Sequence, residues 1–294
     1  MAFARVVVGI DGSGGGDDAL AWAIDWARRS GAEVIAVYAV GLLWNSRSGA
    51  PVPSYAHRDE IRERFETEWA APLDRSGVPA RKLLHDGPAA SVLLSVADEE
   101  AADLVVVGKR GTGRFEAAML GSSALQVAEH SSCPVLIVPD GHAPERVGSV
   151  VVGVDGSAPA ESALRWAADL AALLGAPLTV AHTVDESFAT VGAIVEGGWE
   201  AGPGDPAIAE AEDALRSWCA PVLGAGTAVE TVVERGDAAS QLVRLAEPPG
   251  TVVVVGSRGR GGFDELRLGS VSNRVVHHAA SPVAVVHGAR AAGC

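Results

Sequence analysis

Residues 108–122 read GKRGTGRFEAAMLGS, and residues 256–270 read GSRGRGGFDELRLGS. In each block two glycines stand three apart, and after nine further residues come a glycine and a serine. Each block directly follows a largely aliphatic run, Leu104 to Val107 in one case and Thr251 to Val255 in the other. Glycine lets backbone N–H groups approach a bound anion. A Gly-Ser pair that opens a helix adds a hydroxyl and the positive end of the helix dipole. One such block is weak evidence for a phosphate site; two, at corresponding places in one chain, are much stronger.

The correspondence extends beyond the blocks. VVVGIDGS at 6–13 matches VVGVDGS at 151–157, ALAWAIDWA at 19–27 matches ALRWAADLA at 163–171, and CPVLIVP at 133–139 matches SPVAVVH at 281–287. The spacing between partners grows by about four residues on passing from Asp11 and Asp155 to Gly108 and Gly256. That insertion is expected in the Gly-rich segment from Glu196 to Gly204. The 294 residues therefore read as two similar domains, 1–140 and 148–294, joined near Pro139 to Gly148.

Composition narrows the function. The chain is 48% hydrophobic and 20% charged, which suits a globular protein with buried sheets, and its formal charge of −14 opposes a nucleic-acid surface. No apolar run is long enough to span a membrane and no signal segment opens the sequence, so the cytoplasm is the default location. Cys133, Cys219 and Cys294 are too few and too scattered for a disulfide framework or a zinc set, and read as plain thiols.

In the first half, Arg5–Ile10, Glu33–Val40, Lys82–His85, Leu104–Val107 and Pro134–Val138 read as strands, with helices over Asp17–Ser30, Asp59–Ser76, Ala89–Glu100 and Ser122–His130. The near-continuous aliphatic runs imply parallel strands covered on both faces. In the second half the strands are Ser149–Val154, Leu178–Val184, Ala228–Glu234, Thr251–Val255 and Pro282–Val286. Alternating strands and helices give an α/β fold: two tandem Rossmann-like domains, each a five-stranded parallel sheet of order 3-2-1-4-5 with helices on both faces. In such sheets ligands bind beyond the carboxyl ends of the strands, where the order reverses. There the first strand delivers Gly9 and Asp11, or Gly153 and Asp155, to face the glycine block.

These motifs resemble the universal stress proteins, in particular their tandem two-domain members, over nearly the whole chain. The resemblance rests on the strand-borne VGxDGS, the glycine block and the closing CPVLIV-type strand, and the intact block points to the ATP-binding branch. It implies that Asp11 and Asp155 lie near the nucleoside, and that Ala39 and Val40, with Thr183 and Val184, line the adenine pocket. Ribose and phosphates would be held by Gly108, Gly111, Gly121 and Ser122, and by Gly256, Gly259, Gly269, Ser270 and Val271. Relatives often carry a second hydroxyl where the second half has Ser272. The first half has Ala124 there and offers only Ser123, one position away. A hydrogen bond to a charged group is worth roughly 1.5–3 kcal/mol, so the first site is expected to hold the terminal phosphate less tightly.

Several residues have simpler readings. An Asp before Gly-Ser is often only a turn former or helix cap. The GSGGG run at 12–16 is not repeated in the second half and reads as a flexible turn. Lys109, Arg110 and Arg114, with Arg258, Arg260 and Arg267, cluster at the blocks and favour an anionic ligand, against the alternative of ordinary loop charges. His277 and His278 are adjacent and diverge on a helix; Trp22, Trp26 and Trp166 read as packing aromatics. Segments Gly41–His57 and Asp185–Gly204 are long enough to act as lids.

The leading expectation is a nucleotide-binding signalling or stress-response module that is not an enzyme beyond slow hydrolysis. It would hold one ATP per domain, with Mg²⁺ carried on the phosphates. One rival is an ATP-hydrolysing or adenylate-forming enzyme. Another is a ligand-free dimerisation module, because the short last strands, Pro134–Val138 and Pro282–Val286, suit edge pairing that makes the chain an internal pseudo-dimer, and pairing between two chains stays open.

Overall fold

The computed structural model describes residues 3–44, 51–53, 58–112, 120–142, 144, 147–184, 206–223, 229–259 and 268–288. The first half runs β1 (Arg5–Gly9), α1 (Gly14–Ser30), β2 (Glu33–Val40), β3 (Leu42–Trp44), β4 (Pro51–Pro53), α2 (Arg58–Arg64), a π-helical turn (Phe65–Trp69), α3 (Ala71–Ser76), β5 (Ala80–Asp86), α4 (Ala89–Glu99), β6 (Leu104–Gly108), α5 (Ser122–His130) and β7 (Val135–Val138). The second half runs β8 (Ser149–Gly153), α6 (Ala158–Leu174), β9 (Leu178–Val184), α7 (Pro206–Leu223), β10 (Val229–Arg235), α8 (Ala238–Leu245), β11 (Thr251–Gly256), α9 (Ser270–His278) and β12 (Val283–Val286).

Ten strands form one sheet in the order β10-β9-β8-β11-β12-β7-β6-β1-β2-β5. Within each half the strands are parallel and follow 3-2-1-4-5, with the order reversing between β1 and β6 and between β8 and β11. The halves meet where β7 and β12 pair antiparallel, Val283 opposite Ile137 and Val285 opposite Val135. This seam covers two short strands, VLIV and VAVV, whose every side chain is buried. Leaving either as an open edge would expose unpaired backbone groups and apolar side chains together.

Strand alternation sorts the core into two layers, and each layer contains residues of both halves. One lies under α1 and α6, where Trp26 stacks on Trp166 across the halves at 5.7 Å and Phe3 meets both rings edge-on. Trp22 is buried beside them, and its indole N–H donates to the His142 carbonyl at 2.6 Å. The other layer lies under α4, α5, α8 and α9. Cys133 and Cys219 are buried free thiols, and Cys294 lies outside the described residues.

Three expectations change. The GSGGG run is not a flexible turn, because Ser13 caps α1 by accepting the Gly16 N–H at 3.2 Å and Gly14 to Gly16 form the first helical turn. Ser157 caps α6 in the same way, and Pro159 occupies the first turn, where a missing N–H costs nothing. The single helix expected over Asp59–Ser76 is broken. A π turn lets Ala70 N–H reach back to the Phe65 carbonyl at 2.9 Å, and Pro72 then starts α3. Finally, Gly41–His57 is not wholly irregular: β3 and β4 pair antiparallel within it. The expected lid Asp185–Gly204 and the insertion at Glu196–Gly204 lie outside the described residues. No described helix is long and apolar enough to cross a membrane.

Candidate functional site

At the carboxyl ends of β1, β2 and β6 lies a cleft of about 410 Å³. Its floor comes from Gly9, Ile10, Val37, Tyr38, Ala39, Leu93 and Val107, and its rim from Asp11, Gly108, Gly111, Thr112 and the start of α5 at Gly121 to Ala124. Roughly 300–1,000 Å³ is the usual range of small-molecule sites.

Asp11 ties the rim together. Its Oδ1 accepts the Ser13 N–H at 3.0 Å and the Ser13 hydroxyl at 2.5 Å, while Oδ2 accepts the Thr112 N–H at 2.9 Å. The carboxylate thus joins the end of β1, the cap of α1 and the glycine block, with lone pairs remaining for a further donor. Asp155 holds the matching turn by accepting the Ser157 N–H at 3.0 Å.

The glycines of the block have steric reasons that can be read atom by atom. A Cβ on Gly108 would stand 2.6 Å from the carbonyl of Gly15, so the start of α1 can lie against the end of β6 only with glycine at both places. On Gly111 a Cβ would collide with Asp11 Oδ2, and on Gly259 with Asp155 Oδ2. On Gly256 it would meet Pro159 backbone at 3.1 Å, a looser seat. Gly9 and Gly153 leave space for Leu93 and Leu242.

Gly121 and Gly269 differ from these. Each is the cap residue of its helix in extended conformation, with φ and ψ of −63° and 143° or −68° and 158°. The Gly121 N–H donates to the Lys109 carbonyl at 2.8 Å, and the Gly269 N–H to the Ser257 carbonyl at 2.7 Å. Among the described residues neither helix receives a side-chain cap, nor does α4 behind Pro88, whereas α1, α6 and α8 are capped by Ser13, Ser157 and Asp237. The opening N–H groups of α5, on Ser122, Ser123 and Ala124, therefore line the cleft without a capping acceptor. Ser122, Ser123 and Ser270 are exposed there.

The charges around the first block are not arranged as its sequence implies. Lys109 lines the cleft, but its Nζ donates to the His277 and Ala279 carbonyls, at 2.8 and 2.9 Å, in the other half. Burial pushes its pKa below the ordinary lysine value, and neighbouring Arg110 adds to the shift. Arg110 itself pairs with Asp140 at 2.8 Å. Arg114, Arg260 and Arg267 lie outside the described residues.

Two further placements depart from expectation. Val40 and Val184 point to the opposite face of their strands from Ala39 and Thr183, because side chains alternate along a strand; Val40 lines no part of the cleft and Val184 packs in the α1–α6 layer. Val37 and Tyr38, earlier on β2, line the cleft. Ser272 is buried, and its hydroxyl donates to the Gly256 carbonyl at 2.6 Å, directing the hydrogen into the protein. Val271 packs against the core layer beneath α9.

Sequence reasoning missed an aromatic stack behind the first cleft. Tyr38 stacks on Trp69 at 5.2 Å, Arg64 lies over the other face of that indole at 4.6 Å, and Phe65 flanks Tyr38 at 5.8 Å. The Trp69 ring covers Gly12, whose φ is +77° and whose Cβ would fall 2.6 Å from the indole. Burial raises the Tyr38 phenol pKa, and the charge of Asp11 raises it further. The available signal was Phe65 and Trp69 four residues apart on a helix that must face β2. His277 bonds the Asn273 carbonyl through Nδ1 at 2.8 Å, and among the described residues no group of three His, Cys, Asp or Glu is placed to hold a metal.

The sequence profile described as the universal stress protein family matches residues 2–139 and 147–287. A universal stress protein of Mycolicibacterium smegmatis is 30% identical over 296 residues, covering 96% of each chain. One from Mycobacterium tuberculosis is 31% identical over 295 residues, covering 95% of each. Among solved structures, a universal stress protein from Archaeoglobus fulgidus superposes with a TM-score of 0.69 at 22% identity, over 97% of this chain and 96% of its own, a likeness of fold.

Proposed function

This chain belongs to the universal stress protein family, and on that premise we propose that it is a nucleotide-binding signalling module with one ATP site in each of two domains, residues 1–140 and 148–294. The observation that carries the reading is the pair of uncapped helices. Both α5 and α9 begin at the last glycine of a block, and among the described residues no side chain takes the first-turn donors at either. A phosphate is the acceptor such a turn fits, through its N–H groups, the Ser122, Ser123 or Ser270 hydroxyls and the helix dipole.

The base and ribose would occupy the apolar floor, between Ala39, Leu93 and Val107, with Asp11 at the nucleoside end. Thr183, Asp155 and Gly153 would do the same in the second half. Gly111 and Gly259 serve by letting the block lie close to the aspartate, and Gly108 and Gly256 by letting the first helix of each half lie against the strand end. Ser272 serves by bracing Gly256, and Val271 by seating α9. Mg²⁺ would ride on the phosphates with few protein ligands.

Binding with at most slow hydrolysis is favoured because the described cations of the first block are engaged with the protein. Lys109 holds helix carbonyls and Arg110 holds Asp140, whereas fast phosphoryl transfer needs charge aimed at the transferring group.

Equilibrium dialysis with radiolabelled ATP tests the reading, with two equivalents per chain expected. Gly121→Val and Gly269→Val should each remove one equivalent: both positions have backbone angles open to any residue, and the added side chain would press on the block's own backbone, 3.2 Å from the Lys109 carbonyl at 121 and 3.4 Å from the Arg258 Cα at 269, displacing the helix start. At ligand a hundredfold above Kd, each filled site should add about 2.7 kcal/mol of stability. No bound nucleotide in the parent protein would overturn the proposal.

A further inference from the structure

Each uncapped helix is held at its far end by a side chain from the other half. The α9 helix starts at Gly269, at the second block, and ends about 12 Å away at carbonyls gripped by Lys109 of the first block. The α5 helix starts at Gly121, at the first block, and the Ala128 carbonyl in its last turn lies 3.0 Å from Nε2 of His287, just beyond β12. A carbonyl only accepts, so that nitrogen carries the hydrogen.

The main chain completes both links. The Lys109 carbonyl receives the Gly121 N–H that sets the start of α5, while its side chain holds the end of α9. In the second half the Ser257 carbonyl receives the Gly269 N–H, and Ser257 N–H bonds to Val286, next to His287. A shift of either helix along its axis is therefore felt at the opposite block through two or three hydrogen bonds. Serine at 257 is too short for the reach Lys109 makes, and His287, in the place of Pro139, supplies the return contact.

We propose that Lys109 is a positioning residue that couples the two clefts, and that His287 carries the reciprocal, weaker link. The inference rests on nucleotide binding at both clefts. An anion at the start of α9 and a cation at its end stabilise the same dipole, so occupancy of the second cleft tightens the Lys109 contact, and with it the seat of Gly121. Coupling of this kind is reciprocal by thermodynamic necessity.

The test isolates the second cleft with Gly121→Val and asks whether a residue that touches nothing there sets its affinity. Lys109→Met retains the side-chain stem and removes the ammonium. In the Gly121→Val background it should weaken ATP binding at the second cleft about fivefold, the low end of typical coupling, and Lys109→Arg should restore most of the loss. Unchanged affinity, with only a lower melting temperature, would reduce Lys109 to a structural strut and overturn the proposal.

Amide hydrogen exchange on Gly121→Val with an intact Lys109 gives a second reading that does not depend on the methionine variant folding. ATP in the second cleft should slow exchange at the residue 121 amide and its neighbours at the start of α5, and an unaffected first cleft would count against the coupling. Absence of ATP binding in every form would instead remove the nucleotide reading itself, and the inference with it.

Discussion

The two glycine blocks are built on the same plan and differ in how tightly that plan is packed. In the first half, glycine faces glycine where α1 meets β6, and the lysine of the block leaves its own site to hold the other half. In the second half Pro159 faces Gly256 with more clearance, Ser257 stays at home, and Ser272 braces the block from beneath. Duplication has thus preserved the position of the open helix start while the supports around it have diverged. The open helix start is shared, and what holds it in place is particular to each half.

The difference in packing gives the largest expected effect. Gly108→Ala sets a methyl group against backbone on both sides and should cost about 3 kcal/mol, whereas Gly256→Ala should cost about 1 kcal/mol, the two ends of the usual overpacking range. Denaturant midpoints of the two variants measure this, and equal losses would break the contrast. Ser272→Ala comes next: it leaves the Gly256 carbonyl without its buried donor and should cost about 1 kcal/mol. If ATP affinity at the second cleft fell far more than stability, the hydroxyl would have to turn toward phosphate in the bound state.

The cross-link at His287 has a pH signature with no counterpart at Pro139. Burial holds this imidazole below its ordinary pKa of 6.5, and the charge of Arg258 opposes protonation as well. Below that value the unfolded chain takes up a proton that the folded chain resists. The stability His287 lends is therefore complete above about pH 6.5 and declines as pH falls toward the lowered pKa. Melting temperatures measured from pH 7.5 down to 5 should fall less steeply for His287→Phe than for the parent. The smallest effect is expected from Arg110→Ala, since the partly exposed pair with Asp140 is worth roughly 0–1 kcal/mol. A loss of several kcal/mol there would give this pair a weight that its exposure does not support.

The fold was legible because its signals are local and repeated. Runs such as RVVVG and SVVVG read as strands covered on both faces, and Ser-capped, glycine-ended helices follow them in step. The last-strand pairing followed from the same patterns, since VLIV and VAVV have no polar face to give to water. What escaped was whatever depends on contacts distant in sequence. Lys109 reads as a ligand cation until the carbonyls of His277 and Ala279 are seen beside it, some 170 positions away. Trp69 reaches Tyr38 only through a π turn that propensity does not announce.

The antiparallel seam between β7 and β12 has a thermodynamic corollary. Were the halves separate subunits, their union would be a bimolecular equilibrium, and dilution would pull them apart and lower the melting point. Here a short tether makes the partner's local concentration a fixed property of the chain. The joined sheet, and any conversation between the clefts that crosses it, is set by sequence and persists however scarce the protein becomes in the cell.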